Sequence, residues 1–219
     1  MGTPIKIDFV SDVSCPWCAI GLKSLEQAVA RLGDAAQVEW HFQPFELNPG
    51  MAPQGLDIHA YFAAKLGLSP EQVAQSAERL RARGAEVGFT FGAGKRSRVY
   101  NTFDAHRLLH WAELQGAGAQ HRLKMALLEA YFTRGEDLSS HQVLADAAEG
   151  VGLDRAAALA VLASQAYAAE VREREQFYQR QGIASVPAII INERHLISGG
   201  QPPEVFEGAL REIMARSAA

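Results

Sequence analysis

The stretch that decides the fold is Ile5-Lys6-Ile7-Asp8-Phe9-Val10-Ser11-Asp12-Val13-Ser14-Cys15-Pro16-Trp17-Cys18-Ala19-Ile20-Gly21. It alternates apolar and polar residues as far as Phe9 and Val10, the pattern of a strand entering a core. From Pro16 the period changes. Trp17, Leu22, Leu25, Val29 and Leu32 recur mostly at three- and four-residue steps, with Lys23, Glu26, Gln27 and Arg31 between them. That is an amphipathic helix closed near Gly33, with Pro16 in the first turn, where a missing N–H costs nothing. Val38 to Phe45 then alternates again, so a βαβ unit occupies the start of the chain.

Between strand and helix stand the only two cysteines among 219 residues, Cys15 and Cys18. Two sulfurs at this spacing can close a small reversible disulfide. At a helix start, unpaired N–H groups and the helix dipole favour a thiolate, lowering a cysteine pKa from about 8.5 into roughly the 3.5–7.5 range. Cys18, nearly one turn inside, is expected to be the more buried, resolving thiol. Pro16 and Trp17 shape the loop between them. Three other readings compete. A structural disulfide would close too small a loop to constrain the unfolded chain much. A zinc site lacks a second Cys-x-x-Cys or a spaced histidine pair, so no metal is expected. Two inert core cysteines are the third.

Apolar residues make up 48% of the chain and charged ones 21%, the balance of a globular protein with one core, or a core plus an inserted subdomain. A net charge of −4 lacks the basic excess that a general nucleic-acid binder needs. No run approaches the roughly 18 apolar residues of a membrane-spanning helix. Neither nucleic acid nor a membrane is therefore expected as a partner. Met1-Gly2-Thr3-Pro4-Ile5-Lys6 leads straight into a strand without the apolar run of a signal peptide, so a cytoplasmic protein is expected. In a reducing compartment a close cysteine pair is more often catalytic or metal-binding than structural.

From about Asp57 to Gln181, alanine-rich helical patterns dominate. Ser69-Pro70-Glu71-Gln72 reads as a helix start with a cap, a first-turn proline and a capping-box glutamine. Further helices are expected over 101–115, 120–133, 140–151, 154–163 and 165–181. Ala188-Ile189-Ile190-Ile191 is a buried strand, Asn192-Glu193-Arg194 a turn, and His195-Leu196-Ile197-Ser198 a partner strand. Pro202 and Pro203 open a last helix with Val205, Phe206, Ala209, Leu210, Ile213 and Met214 on its apolar face. The class is α/β: βαβ, a helical insertion of about 120 residues, then ββα. Residues 1–50 and 182–219 are expected to form one discontinuous domain, and 51–181 a helical insertion subdomain.

Five segments together resemble a known family. They are Asp12 through Gly21; Pro44-Phe45-Glu46-Leu47-Asn48-Pro49; Asn101-Thr102 with Ala105-His106-Arg107-Leu108; Gly182-Ile183-Ala184-Ser185-Val186-Pro187; and Ser198-Gly199-Gly200-Gln201-Pro202-Pro203. In this order, over about residues 5–214, the chain resembles the DsbA-like branch of the thioredoxin superfamily. Within it, the chain is similar to the FrnE-like cytoplasmic dithiol-disulfide oxidoreductases and isomerases. The resemblance implies a thioredoxin-like fold and mixed-disulfide chemistry with Cys15 as nucleophile and Cys18 as resolver. It implies a cis Val186-Pro187 bond across from the dithiol, where the Val186 backbone pairs with an extended substrate. Pro16, Trp17, Val186, Pro187 and His106 are the expected substrate-binding residues. No cofactor is implied beyond the Cys15–Cys18 disulfide itself. Protein or small-molecule disulfides and dithiols are the expected substrates, glutathione is a candidate co-substrate, and a monomer or homodimer is expected.

Around this centre the reading is less sharp. Asp8 and Asp12 lie near the pair and could accept or relay the Cys18 proton. Asp8 sits one residue too far upstream for the usual buried acid of thioredoxins and reads better as a solvated strand acid. His106 and Arg107 either face the dithiol from the insertion or hold helix-surface or core positions. Lys95, Arg96 and Arg98 fail as a phosphate loop and read as a solvated loop rather than an anion site for glutathione carboxylates. Kappa-class glutathione transferases and hydroxychromene-carboxylate isomerases share the insertion topology but present a serine where this chain has Cys15, and two thiols argue against that role. A holdase or redox-sensing interaction protein is a third, non-enzymatic reading.

Overall fold

The computed structural model describes residues 2–52 and 54–217; Met1, at the start of the N-terminal segment read above, lies outside them. β1 (Thr3–Ser11) leads through a short turn to α1 (Pro16–Leu32), and a 3₁₀ turn at Gly33–Ala35 leads to β2 (Ala36–Pro44). β1 and β2 pair in parallel from Thr3↔Ala36 to Ser11↔Pro44, so α1 is the crossover of a βαβ unit. β2 begins two residues before the expected Val38 because Ala36 and Gln37 continue the ladder.

The central stretch holds α2 (Ile58–Leu66), α3 (Pro70–Glu86), α4 (Phe103–Glu113), α5 (Ala119–Glu129), α6 (His141–Gly150), α7 (Arg155–Ala163) and α8 (Ala168–Arg180). The capping box at Ser69 forms: its hydroxyl accepts from the Gln72 N–H, while Gln72 Oε1 accepts from the Ser69 N–H at 2.8 Å. α4 starts at Phe103 rather than Asn101 because the Asn101 side chain accepts from the Phe103 N–H at 2.9 Å, a turn that precedes the helix. α8 starts at Ala168 rather than Gln165 because Tyr167 takes a left-handed conformation, φ 62°. α5 runs on as a π turn over Ala130–Arg134. This helical stretch also contains a two-residue ladder that periodicity could not reveal, between β3 (Leu56–Asp57) and β4 (Arg98–Val99).

The chain then returns to the sheet. β5 (Ala188–Ile191) pairs antiparallel with β1, from Ile7↔Ile191 to Val10↔Ala188, and β6 (His195–Ser198) pairs antiparallel with β5. The order β2-β1-β5-β6 puts β1 inside the sheet, which explains its burial on both faces. Ile5, Ile7 and Phe9 join the main core with the apolar side of α1. The last helix, α9 (Pro203–Ser217), packs against α1, and its Phe206 and Leu210 are fully buried in that core. Val10 faces the other way, into a cluster with Phe45, Tyr178, Ile183 and Ala188. Asp8 shares this second face and is 3% exposed, which corrects its reading as a solvated acid. It accepts from Gln43 Nε2 at 2.7 Å and lies 3.4 Å from Lys6 Nζ. Among the described residues no helix is long and apolar enough to cross a membrane.

Candidate active site

β1 ends in a turn built by Asp12. Its Oδ1 accepts from the Ser14 N–H at 3.0 Å, and its backbone carbonyl accepts from the Cys15 N–H at 3.2 Å. Cys15 is the N-cap of α1 with extended backbone, φ −91° and ψ 114°, and Pro16 occupies the first turn. A thiol stands where a hydroxyl or carboxylate cap is usual, so the positive end of the helix faces sulfur. The Cys18 N–H donates to the Cys15 carbonyl at 3.1 Å, which puts both sulfurs in one turn.

The acidities of the two thiols are shifted in opposite directions. The hydrogen bond from the Cys18 thiol lowers the Cys15 pKa, with help from the Cys18 and Trp17 N–H groups and against burial and the Asp12 carboxylate. Burial raises Cys18 well above its ordinary value, reinforced by its bond and proximity to Cys15. Lys124 of α5 is 1% exposed and sits within the field of Cys18, Asp12 and Cys15. Burial lowers its ammonium to about 8, although those three neighbours pull the other way. Burial pushes the Asp12 carboxyl upward, but His106 and the Leu47 and Ser14 N–H groups outweigh it and hold the group below the carboxylate range. The Leu47 contact to Oδ2 is 2.7 Å.

Across the dithiol lies the cis Val186-Pro187 bond, and the Cys15 thiol donates to the Val186 carbonyl at 3.6 Å. The Pro187 carbonyl accepts from Gly199 N–H at 2.8 Å, which ties this bend to the Ser198-Gly199-Gly200-Gln201 segment. That segment presses on the start of α1. A Cβ at Gly200 would stand 2.8 Å from the Trp17 carbonyl oxygen, so this approach admits no side chain. Trp17, 44% exposed, forms the open rim, beside a half-buried Pro16.

The structure thus brings Cys15, Cys18, Pro16, Trp17, Val186 and Pro187 into one place. His106 reaches it through Asp12: its Nε2 lies 3.7 Å from Asp12 Oδ1, a close polar approach rather than a hydrogen bond. Beyond it, Glu46 is buried and paired with Arg172, and burial raises its carboxyl above its ordinary value. Arg107 takes the core role. Its guanidinium donates to the carbonyls of Val161, Ser164 and Ala166 and pairs with Asp104. Among the described residues no group of three or more His, Cys, Asp or Glu is placed to hold a metal ion. Lys124 is the residue that reading the sequence missed. Its signal was a lysine set among the apolar residues Ala119, Leu123, Leu127 and Leu128 of one helix face.

Comparison with known proteins matches this architecture. Residues 6–211 fit the model of the DSBA-like thioredoxin domain. The uncharacterized protein YwbO of Bacillus subtilis (strain 168) is 28% identical over 209 residues, which cover 95% of this chain and 96% of YwbO. The crystal structure of a Streptomyces coelicolor protein described as a probable DsbA oxidoreductase, SCO1869, superposes with a TM-score of 0.88 at 34% identity, covering 95% of this chain and 89% of that one. The cytosolic disulfide reductase DsbM of Pseudomonas aeruginosa, solved with GSH, shares the fold with a TM-score of 0.65 at 17% identity, covering 96% of this chain and 99% of that one.

Proposed function

Because the chain belongs to the DSBA-like thioredoxin domain family, we propose that it is a thiol–disulfide oxidoreductase working through Cys15 and Cys18. The observation that carries this reading is a pair of thiols in one helical turn, Cys15 capping α1 at 3.6 Å from the Val186 carbonyl and Cys18 fully buried one turn inside, with the first thiol lowered and the second raised. Environments that push paired groups apart in this way assign attacking and resolving roles.

In the reducing direction, the Cys15 thiolate attacks a substrate disulfide, forms a mixed disulfide, and releases one substrate thiolate, which takes up a proton from solvent. Cys18 then loses its proton and attacks Cys15 Sγ. The Cys15–Cys18 disulfide forms, and the second substrate thiol leaves. Two electrons pass to the substrate; the reverse order oxidises a dithiol. Lys124, lowered to about 8 by burial, lies in the field of Cys18, and its neutral form, which gains population as pH rises toward 8, can accept the Cys18 proton. Val186 and Pro187 support an extended substrate beside Cys15, with Trp17 as an exposed apolar contact. Protein or small-molecule disulfides are the proposed substrates. Glutathione as co-substrate, and a cytoplasmic location, are supported by the likeness to DsbM.

Insulin reduction and dithiol oxidation by single variants test the reading. Cys15→Ser is expected to abolish turnover, and Cys18→Ser to accumulate a mixed disulfide with substrate at Cys15. Full activity in Cys15→Ser would overturn the mechanism. A glutathione-dependent isomerase activity that survives replacement of both cysteines would favour the kappa-class type of chemistry instead.

A further inference from the structure

A cavity of about 290 Å³ lies apart from the dithiol, between α2, α3 and the loop that carries Phe91 and Arg96. None of the residues assigned above to the dithiol site lines it. Its walls are mostly apolar, from Ile58, Phe62, Val73, Leu80, Phe91 and Phe132, and its lining holds no aspartate or glutamate. Phe89, Phe91 and Phe132 form one edge-to-face cluster, with Phe91 4.9 Å from Phe89 and 5.2 Å from Phe132 between ring centroids. Helix α3 is seated on that cluster at Gly84, where a Cβ would come within 2.6 Å of the Phe91 ring. The wall is therefore pre-formed and close-packed rather than a gap between loose side chains.

Two arginines, Arg81 and Arg96, line this cavity, and Arg96 carries the charge that no carboxylate among the described residues pairs. Its guanidinium lies over three rings, 5.9 Å from Phe62, 5.5 Å from Tyr131 and 5.3 Å from Phe132. Arg98, two residues on, is taken up by the Gln54 and Gly55 carbonyls, and Arg81 in the lining pairs with Glu78. Among the described residues no carboxylate pairs with Arg96. A guanidinium held among aromatic rings by cation–π attraction, with no carboxylate partner, keeps N–H donors available for a planar anion.

We propose that this cavity binds a small amphipathic monocarboxylate, with an aliphatic or aromatic body among Phe62, Leu80 and Phe91 and its carboxylate on Arg96. The apolar walls supply affinity for the body. The lone unpaired cation, in a lining without acidic groups, selects an anionic head over a neutral or cationic one.

Calorimetric titration of the full chain with octanoate, 1-octanol and octylammonium tests this. Saturable one-to-one binding of octanoate is expected, at least tenfold tighter than the alcohol and tighter still relative to the ammonium. In Arg96→Met, octanoate is expected to weaken at least tenfold while octanol is unchanged. Equal affinity for octanoate and octanol in the unmodified chain would overturn the proposal, as would absence of saturable octanoate binding. These two outcomes hold even if Arg96→Met fails to fold. A folded Arg96→Met that keeps octanoate affinity would overturn it as well.

Discussion

Lys124 shows at the scale of one residue how burying an ammonium costs stability. Its folded pKa is about 8 against 10.5 unperturbed. The charged form is therefore penalised by the fold, fully below pH 8, and the penalty fades as pH rises toward 10.5. Lys124→Met is expected to stabilise the protein at neutral pH by about 1–3 kcal/mol, with the gain shrinking in alkali, while it lengthens the life of the mixed disulfide. Urea unfolding at several pH values reads the first effect and quenched-flow trapping the second; loss of stability at neutral pH would show that the ammonium is net favourable instead. Asp12 has the opposite sign. Its carboxyl is depressed, so its contribution is present above the unfolded value of about 3.9 and is lost as pH falls through the folded one. Asp12→Asn should cost about 1–3 kcal/mol at neutral pH, because the contacts to Ser14 and Leu47 lose a charged acceptor. The same change removes a carboxylate that opposes the Cys15 thiolate, so the Cys15 pKa should fall further, as followed by thiolate ultraviolet absorbance. At this scale the cysteines were legible because spacing and a helix start are local signals. Lys124 was not, because a lysine on an apolar helix face acquires meaning only from what packs on it.

Among the elements, the start of α1 is held by contact with the Ser198–Gln201 segment as well as by its own turn. Gly200→Ala would place a methyl 2.8 Å from the Trp17 carbonyl. Backbone must shift to relieve it, at an expected cost of about 1–3 kcal/mol in stability. Activity toward insulin should fall by more than that stability loss explains, since the same segment is bonded to Pro187 beside Cys15. Retained activity with an unchanged unfolding midpoint would show that the segment yields without disturbing the dithiol. Element existence was readable from periodicity for β1, α1, β5, β6 and α9. Starts were missed where one residue departs from the local rule: Asn101 turning before α4 and Tyr167 left-handed before α8. The β3–β4 ladder gave no periodic signal, since two residues are too short to alternate.

Across the whole molecule, burial is uneven. β1 is buried along most of its length, and α1 buries nine residues, whereas α2 buries Ile58 alone and α3 only Val73 and Gly84. Elements with few buried apolar contacts open at low free energy. Native-state hydrogen exchange should therefore show α2 and α3 amides exchanging through local opening, independent of denaturant at low concentration. Amides of β1 and α1 should exchange only with global unfolding. Equal protection in the two groups would mean that the whole chain unfolds as one cooperative unit. The aromatic floor beneath α3, set by Phe89, Phe91 and Phe132, belongs to the main core, which is why the cavity beside it keeps its shape while the helices over it are lightly held.

By itself, the sequence determined the dithiol, its place between strand and helix, the α/β class and the return of strands after a helical stretch. All of these follow from short-range spacing, from the period of apolar residues and from the two cysteines standing alone. Tertiary structure decided which groups surround the sulfurs. Asp8 went to the far face of the sheet under α8, Asp12 came to the near side with His106, and Lys124 arrived from α5. It also decided that Arg96 lies over three rings at an apolar cavity instead of in solvent. The physical reason is the same in each case: a charge takes its energy from burial and from neighbours distant in sequence, and no local pattern encodes either one.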